Sequence, residues 1–481
     1  MSEKASAENR KLGVLPLVAI VLGSSIGSGI YDLPSDMSAA SAPGPALIAW
    51  LISGAGMLCM CLATARLFAV HPTVRGIYGF ATEGFGKFCG YVSGWGYYVA
   101  ALVANVAFAT MLMICLSYFF PILGDGANVA SLVLASLCTW ALFFIVNRGI
   151  ESATILNAAV TVCKIVPLFV FVVAGIACFN AGVFTADFWG TFGANMAEGE
   201  GAGIAEQCQN CLVVILWVFV GVEAAAMMSD RAKSKSVAGR ATILGVVCLL
   251  AIYILISMIP YGMMPREELA ALPSPILAYL LEAAVGPWGT VLVMVGMIIS
   301  ISGAWLSWTI IPAEVSQGMA QDGLLPGKFA KLNRHGAPTF GLLIMTVVTQ
   351  LFLFSLIISQ DAYLFCYSLA ACAGLLTWAF VCFYQVKYCL LNPGGRRVSG
   401  LVIGLVGSAF FIWAIIFGAG PRFLLGCLIV IVGLPLYCFA RVKGGTALRD
   451  VFTKAEAALI VLFALGAVVA VALIAGGALV V

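Results

Sequence analysis

Gly23-Ser24-Ser25-Ile26-Gly27-Ser28-Gly29-Ile30-Tyr31, with Pro34 close behind, interrupts the first long apolar stretch of the chain. Three glycines and three serines within seven residues, ahead of a proline, make a poor continuous helix. One reading is a small-residue face on which another helix packs. The other is a helix broken at mid-depth, whose freed N–H and C=O groups face a cavity. The N-terminus of the second half-helix then attracts a carboxylate, and the open carbonyls attract an ammonium. A site of that kind suits an α-amino acid without any charged side chain.

The surrounding composition sets the solvent. Of 481 residues, 63% are hydrophobic and 9% charged, against about 25% charged in an ordinary globular protein. So few polar side chains cannot cover a soluble fold of this size. Runs of about 20 apolar residues cross the hydrocarbon core as helices, because lipid offers the backbone no hydrogen-bond partner. Thirteen hydrophobic segments are expected, at 13–40, 45–66, 88–119, 128–147, 152–179, 205–229, 240–261, 286–318, 338–359, 361–388, 399–418, 421–440 and 456–480.

Charge placement orients them. With the N-terminus inside, 21 of the 24 lysines and arginines fall on one side, only Arg266 and Arg422 on the other, and Lys164 within a span. The expected organisation is a cytoplasmic tail over 1–11, a ten-span core over 12–390 and three further spans over 391–481. The tail is polar and has no small-residue cleavage site, so it does not read as a signal peptide. An odd number of spans puts the C-terminus outside. The location expected is the cell (inner) membrane, with lipid as the surrounding partner.

A charge at the bilayer centre costs at least about 2.5–3.5 kcal/mol, so charged residues within spans need a reason. Asp32, Asp36, Lys164, Glu223 and Glu314 are such residues. Asp36 and Glu314 can lie near an interface and snorkel; Lys164 and Glu223 sit mid-span by count. If the core is an inverted repeat of 12–180 and 200–390, the break in span one should recur in span six. There Leu216-Trp217-Val218-Phe219-Val220-Gly221-Val222-Glu223-Ala224 sets a glycine beside an intramembrane acid.

Catalytic signatures are missing. The single CxxC, Cys208-Gln209-Asn210-Cys211, has no paired histidine or second CxxC to complete a zinc site. No HExxH pair occurs. No enzymatic activity, metal or cofactor is expected, and no nucleic-acid partner. No loop is long enough for the soluble output domain of a receptor.

With Gly27-Ser28-Gly29-Ile30-Tyr31, the stretch Trp217 to Glu223 and the Gly79-to-Gly90 stretch, the chain resembles the amino acid–polyamine–organocation superfamily. Within it the likeness is greatest to the basic amino acid/polyamine antiporters, especially arginine–ornithine exchangers, and it covers the first ten spans. The resemblance implies an all-α membrane protein with a leucine-transporter-type five-plus-five inverted repeat, helices 1 and 6 broken, and three C-terminal helices. It implies exchange of arginine or lysine for ornithine, agmatine or a polyamine by alternating access. A proton-coupled permease of the same fold and an amino acid sensor stay open. Related carriers are often dimers, so a homodimer is the protein partner that goes with this likeness.

The resemblance also implies roles. The backbone at Ser28 and Gly29 would hold the substrate carboxylate, and carbonyls near Ser24, Trp217 and Val220 the amino group. Trp217 and Trp305 would stack on the cationic end, worth about 0.5–2 kcal/mol. Asn105 would meet the distal end of the substrate, and Ser368 would join the site, although Cys366-Tyr367-Ser368-Leu369 departs from the antiporter pattern. Tyr78, Tyr97 and Glu223 match gating positions. Lys164 would place its ammonium where sodium-coupled relatives hold sodium, so no sodium dependence is expected. Arginine–agmatine exchangers lack this lysine, which favours arginine–ornithine or related basic amino acid transport.

Overall fold

The computed structural model describes residues 11–124, 126, 128–190, 203–356, 361–394, 397–420 and 423–476, without the side chains of 151, 355–356, 361–373 and 418–419. Helices make up the described elements, and an isolated bridge between Leu12 and Ala232 is the extended pairing seen among them. The first hydrophobic segment is two helices, α1 (Val14–Ser25) and α2 (Gly29–Ala40), bent by 55°. Pro34 lies inside α2 rather than at the break.

After them come α3 (Pro43–Val70), the short α4 (Tyr78–Phe85), α5 (Lys87–Ser117), α6 (Val129–Asn147), α7 (Ile150–Ala177) and the short α8 (Ala181–Ala186). The second half has α9 (Ile204–Val218), the four-residue α10 (Ala224–Met227), α11 (Lys235–Met258), α12 (Arg266–Ala271), α13 (Ile276–Val285), α14 (Trp288–Gln321), α15 (Thr339–Leu356) and α16 (Asp361–Leu391). The chain continues with α17 (Arg397–Trp413), α18 (Phe423–Lys443) and α19 (Lys454–Ala475). Among the described residues, 10 helices are long and apolar enough to cross a membrane, or 11 when the bent pair counts as one. The segments expected at 205–229 and 338–359 hold the shorter apolar helices α9 and α15. Hydropathy alone could not foresee α4, α8 or α12, which are too short to carry a periodic signal.

Local chemistry marks several helix ends. Asn128 and Ser234 accept N–H bonds from Ser131 and Val237 at the starts of α6 and α11. Thr453 and Glu456 form a capping box on α19. Glu456 also accepts the Phe88 N–H at 3.1 Å, tying the last helix to the start of α5.

Helix α5 is the central post: its most apolar window is 72% buried, against 11% for α19 at the periphery. It packs on α14 and α16, while α3 packs on α11 and α9, and α1 on α11 and α7. The end carrying most of the basic residues is closed by ion pairs. Arg75 meets Asp230 at 3.2 Å and also Asp322, which accepts the Tyr78 hydroxyl at 3.1 Å. Burial raises the Asp322 carboxyl above its ordinary value, and Arg75 opposes that. The chain start is stitched there as well, because Leu12 exchanges backbone bonds with Arg231 and Lys233.

Glu314 is the acid of this end that hydropathy placed within a span. Its two oxygens accept Arg231 Nε and Nη2, both at 2.9 Å, and Nη2 also donates to Gly336 O. Glu314 is nearly enclosed and Arg231 half-exposed, so losing one partner should cost about 1–3 kcal/mol rather than the full buried-pair value. We expect Arg231→Met to lower the thermal midpoint clearly and the Arg231→Met/Glu314→Met double variant to recover part of the loss. Strictly additive losses would show that the pair is not coupled.

Candidate functional site

The break in span one exposes backbone groups that must find partners away from water. The carbonyls from Gly23 to Gly27 find them in side chains of three other helices. Lys164 Nζ, from α7, donates to Gly23 O at 2.7 Å and Ile26 O at 2.6 Å. Trp308 Nε1 donates to Ser24 O at 3.0 Å, and the Tyr253 hydroxyl to Ser25 O at 2.8 Å. Ser300 Oγ faces Ile26 O and Gly27 O at 3.1 and 3.0 Å. Lys164, buried as its sequence position suggested, therefore cross-links span five to span one.

The donors at the start of α2 are a different matter. The first N–H groups of a helix have no intrahelical acceptor, and Ser28 caps α2 without a side-chain hydrogen bond to it. Those groups carry the positive end of the helix dipole. They open on a cavity of about 300 Å³ bordered by Ser28, Gly29, Asp32, Asp36, Phe108 and Trp217, among others. Trp217 lies over this helix start, its indole nitrogen 3.4 Å from where a Cβ on Gly29 would stand. Ser28, Gly29, Asp32 and Asp36 follow one face of α2, so an N–H-rich floor rises into a wall bearing two carboxylates. The ionisable residues among those lining the cavity are both acidic.

Span six breaks against span one. Helix α9 ends at Val218, a turn runs through Phe219 to Glu223, and α10 follows. Gly221 has φ +107°, and a Cβ there would stand 2.9–3.0 Å from Ser24 main-chain and Cβ atoms. Only glycine reconciles that backbone with that approach. The Ser24 hydroxyl seals the contact, with Gly221 O at 2.9 Å and Ile20 O at 2.7 Å as acceptors for its one proton. Glu223 Oε2 accepts Gly221 N–H at 3.2 Å and Trp378 Nε1 at 3.1 Å.

Among the described residues, the others singled out from sequence do not line this cavity. Asn105 donates to Ala101 O at 2.7 Å and Trp308 O at 3.2 Å, and accepts Thr309 at 3.3 Å, joining α5 to α14. It sits on α5 between Ala104 and Phe108, both of which line the cavity. Trp305 is buried one turn before Trp308, which stacks on Tyr97 at 5.7 Å between ring centroids. Val220 donates its N–H to Trp217 O at 3.1 Å within the span-six turn. Tyr78 belongs to the ion-pair cluster at the basic end. Ser368 lies outside the described residues, since its side chain is not among them. Cys211 contacts the Ser41 hydroxyl at 2.9 Å and Cys208 faces Pro45 O at 3.3 Å, each in its own packing contact.

Sequence reasoning passed over Tyr253, Ser300, Trp308 and Trp378. Ser300 carried a usable signal, a hydroxyl in the middle of an apolar span opposite the break. The aromatic residues carried none, because their donors matter only through the tertiary partner.

The profile of the family described as amino acid permease matches residues 12–437. The chain belongs to the amino acid permease family. It is 42% identical to the arginine/ornithine antiporter of Latilactobacillus sakei over 483 residues, covering 100% of each chain. It is 34% identical to the arginine/agmatine antiporter of Chlamydia abortus, covering 98% of each. It is 33% identical to the L-lysine transport protein of Corynebacterium glutamicum, covering 97% of this chain and 95% of that one. This permease is therefore a multi-pass membrane protein, and its relatives are transporters. The two breaks and the acid-walled cavity lie within the matched part of the permease.

Proposed function

We propose that this permease exchanges a basic amino acid, arginine or lysine, for a related amino acid or amine such as ornithine, agmatine or a polyamine. The observation that carries the reading is the cavity: amide donors at its floor, Trp217 beside them, and Asp32 and Asp36 on its wall. A helix N-terminus holds a carboxylate, while a cleft walled by one sign of charge concentrates ions of the other. A zwitterion with a cationic side chain satisfies both. The three relatives named above bear names of basic amino acid carriers, which agrees with it.

In this reading Ser28 and Gly29 bind the α-carboxylate, and carbonyls near Ser24, Trp217 and Val220 the amino group. Trp217 covers the site. Trp305, Asn105 and Ser368 form the distal part, reached as the substrate seats. Tyr78, Tyr97 and Glu223 gate the path, and Lys164 supplies in place of a cation the charge that holds span one open. The architecture we assign is thirteen spans in the inner membrane: two inverted five-span repeats, at 12–180 and 200–390, then three spans over 391–481. The basic end and the N-terminus are cytoplasmic and the C-terminus outside. The acid-walled cavity then faces outward, and rocking of one helix bundle would open the site to the other side.

Counterflow tests the function. Proteoliposomes loaded with unlabelled ornithine should take up labelled arginine far faster than empty ones, without sodium. Uptake driven into empty vesicles by a pH gradient, with no effect of internal substrate, would replace exchange by proton symport. Asp36→Asn should raise the KM for arginine by about tenfold, the low end of what focusing in a charged cleft provides. An unchanged KM at low salt would remove the acidic wall from the account of specificity.

A further inference from the structure

A second cavity, of about 280 Å³, lies at the basic end between the last turns of α3 and α16 and the start of α17. Its lining includes Arg66, Arg397, Gln385, Tyr388 and Asn392, and none of the described lining residues is acidic. Several interior cations have acceptors: Lys164 has two carbonyls, Arg231 has Glu314, and Arg75 and Lys235 share Asp230. Arg66 differs. Its Nη2 donates to the neutral Ser399 hydroxyl at 2.8 Å, but its Nη1 is enclosed without any acceptor. Among the described residues no carboxylate pairs with Arg66 or Arg397.

An enclosed guanidinium edge with no acceptor is costly unless something else supplies one. The missing partner is an anion with several acceptor oxygens, since guanidinium forks match phosphate. The surroundings say where it comes from. Leu62, Val70, Leu391, Val398 and Val402, on the same three helix ends, are large apolar side chains left exposed. In a membrane protein these face acyl chains. We propose that this pocket binds the phosphate of an anionic phospholipid, with Arg66 and Arg397 on the headgroup and the acyl chains along the apolar faces of α3 and α17. Basic pockets between helix ends are suited to such headgroups. The inference is independent of which substrate is carried.

Native mass spectrometry of the purified full-length protein tests it, titrating cardiolipin, phosphatidylglycerol, phosphatidylcholine and inorganic phosphate separately. The expected result is saturable binding of one anionic lipid, preferred over phosphatidylcholine, and a thermal midpoint raised by that lipid but not by inorganic phosphate. Arg397→Gln, at an exposed position, should weaken it about fivefold, and Arg66→Gln by at least as much. Lys328→Gln, a basic residue elsewhere at the same end, should leave it unchanged. Equal affinity for phosphatidylcholine, undiminished binding by Arg397→Gln, or equal protection by inorganic phosphate would each overturn the proposal. The Arg397 variant keeps the test open if Arg66→Gln fails to fold.

Discussion

Lys164→Ala should slow arginine–ornithine counterflow by about thirtyfold or more, with the protein still inserted in the membrane. The ammonium serves two carbonyls, Gly23 O and Ile26 O, on either side of the unwound turn. Without it the carbonyls of Gly23, Ile26 and Gly27 are left with the single Ser300 proton, so two of them go unpaired, and an unsatisfied buried acceptor costs about 1–3 kcal/mol. Together that is about 2–6 kcal/mol against the broken form of span one, with tenfold lost per 1.4 kcal/mol. Ser300→Ala is the graded comparison. It takes away the hydroxyl facing Gly27 O but leaves Lys164 on Ile26 O, so a smaller loss is expected. The measurement is the initial exchange rate per mole of reconstituted protein. Exchange by Lys164→Ala at the parent rate would mean that the unwound turn holds itself open, and the electrostatic task given to Lys164 would fall.

That expectation was half legible before any coordinates. The glycine and serine density of Gly23 to Gly29 marks a weak helix because intrinsic propensity is local and adds along a short window. Lys164 declares itself because a charge in lipid needs a partner. Which partner it takes is tertiary information, and here it is main chain rather than an acid. Glu314 shows the same limit: hydropathy allowed it to snorkel, yet Arg231 grips it with two bonds. Asp32 and Asp36 were noticed as charges out of place, but only the helical face shared with Ser28 and Gly29 turns them into the wall of a cavity. Trp308 stayed hidden behind Trp305 because nothing in a string of letters tells which of two tryptophans on one helix donates to Ser24 O.

Gly221→Ala should abolish measurable substrate binding and exchange, and it is the sharper test of the two-break geometry because it adds a single methyl group. The glycine has φ +107°, a conformation that costs an L-residue about 1–2 kcal/mol. The added Cβ would also stand 2.9 Å from the Ser24 carbonyl carbon and 3.0 Å from its oxygen. Those are main-chain atoms of the opposing break and cannot rotate aside, so an overpacking cost of about 1–3 kcal/mol joins the strain. The two breaks must separate or one must rewind, and either change displaces the start of α2 that borders the cavity. A matched control is Gly426→Ala, near the start of α18, where no described atom lies within 4 Å of the new Cβ. That variant should keep full exchange and gain slightly in stability, since alanine outranks glycine within a helix by roughly 0.5–1 kcal/mol. Binding of labelled arginine in detergent separates a lost site from a blocked conformational step. If Gly221→Ala binds and exchanges like the parent, spans one and six do not meet where a substrate is held, and the site lies elsewhere in the bundle.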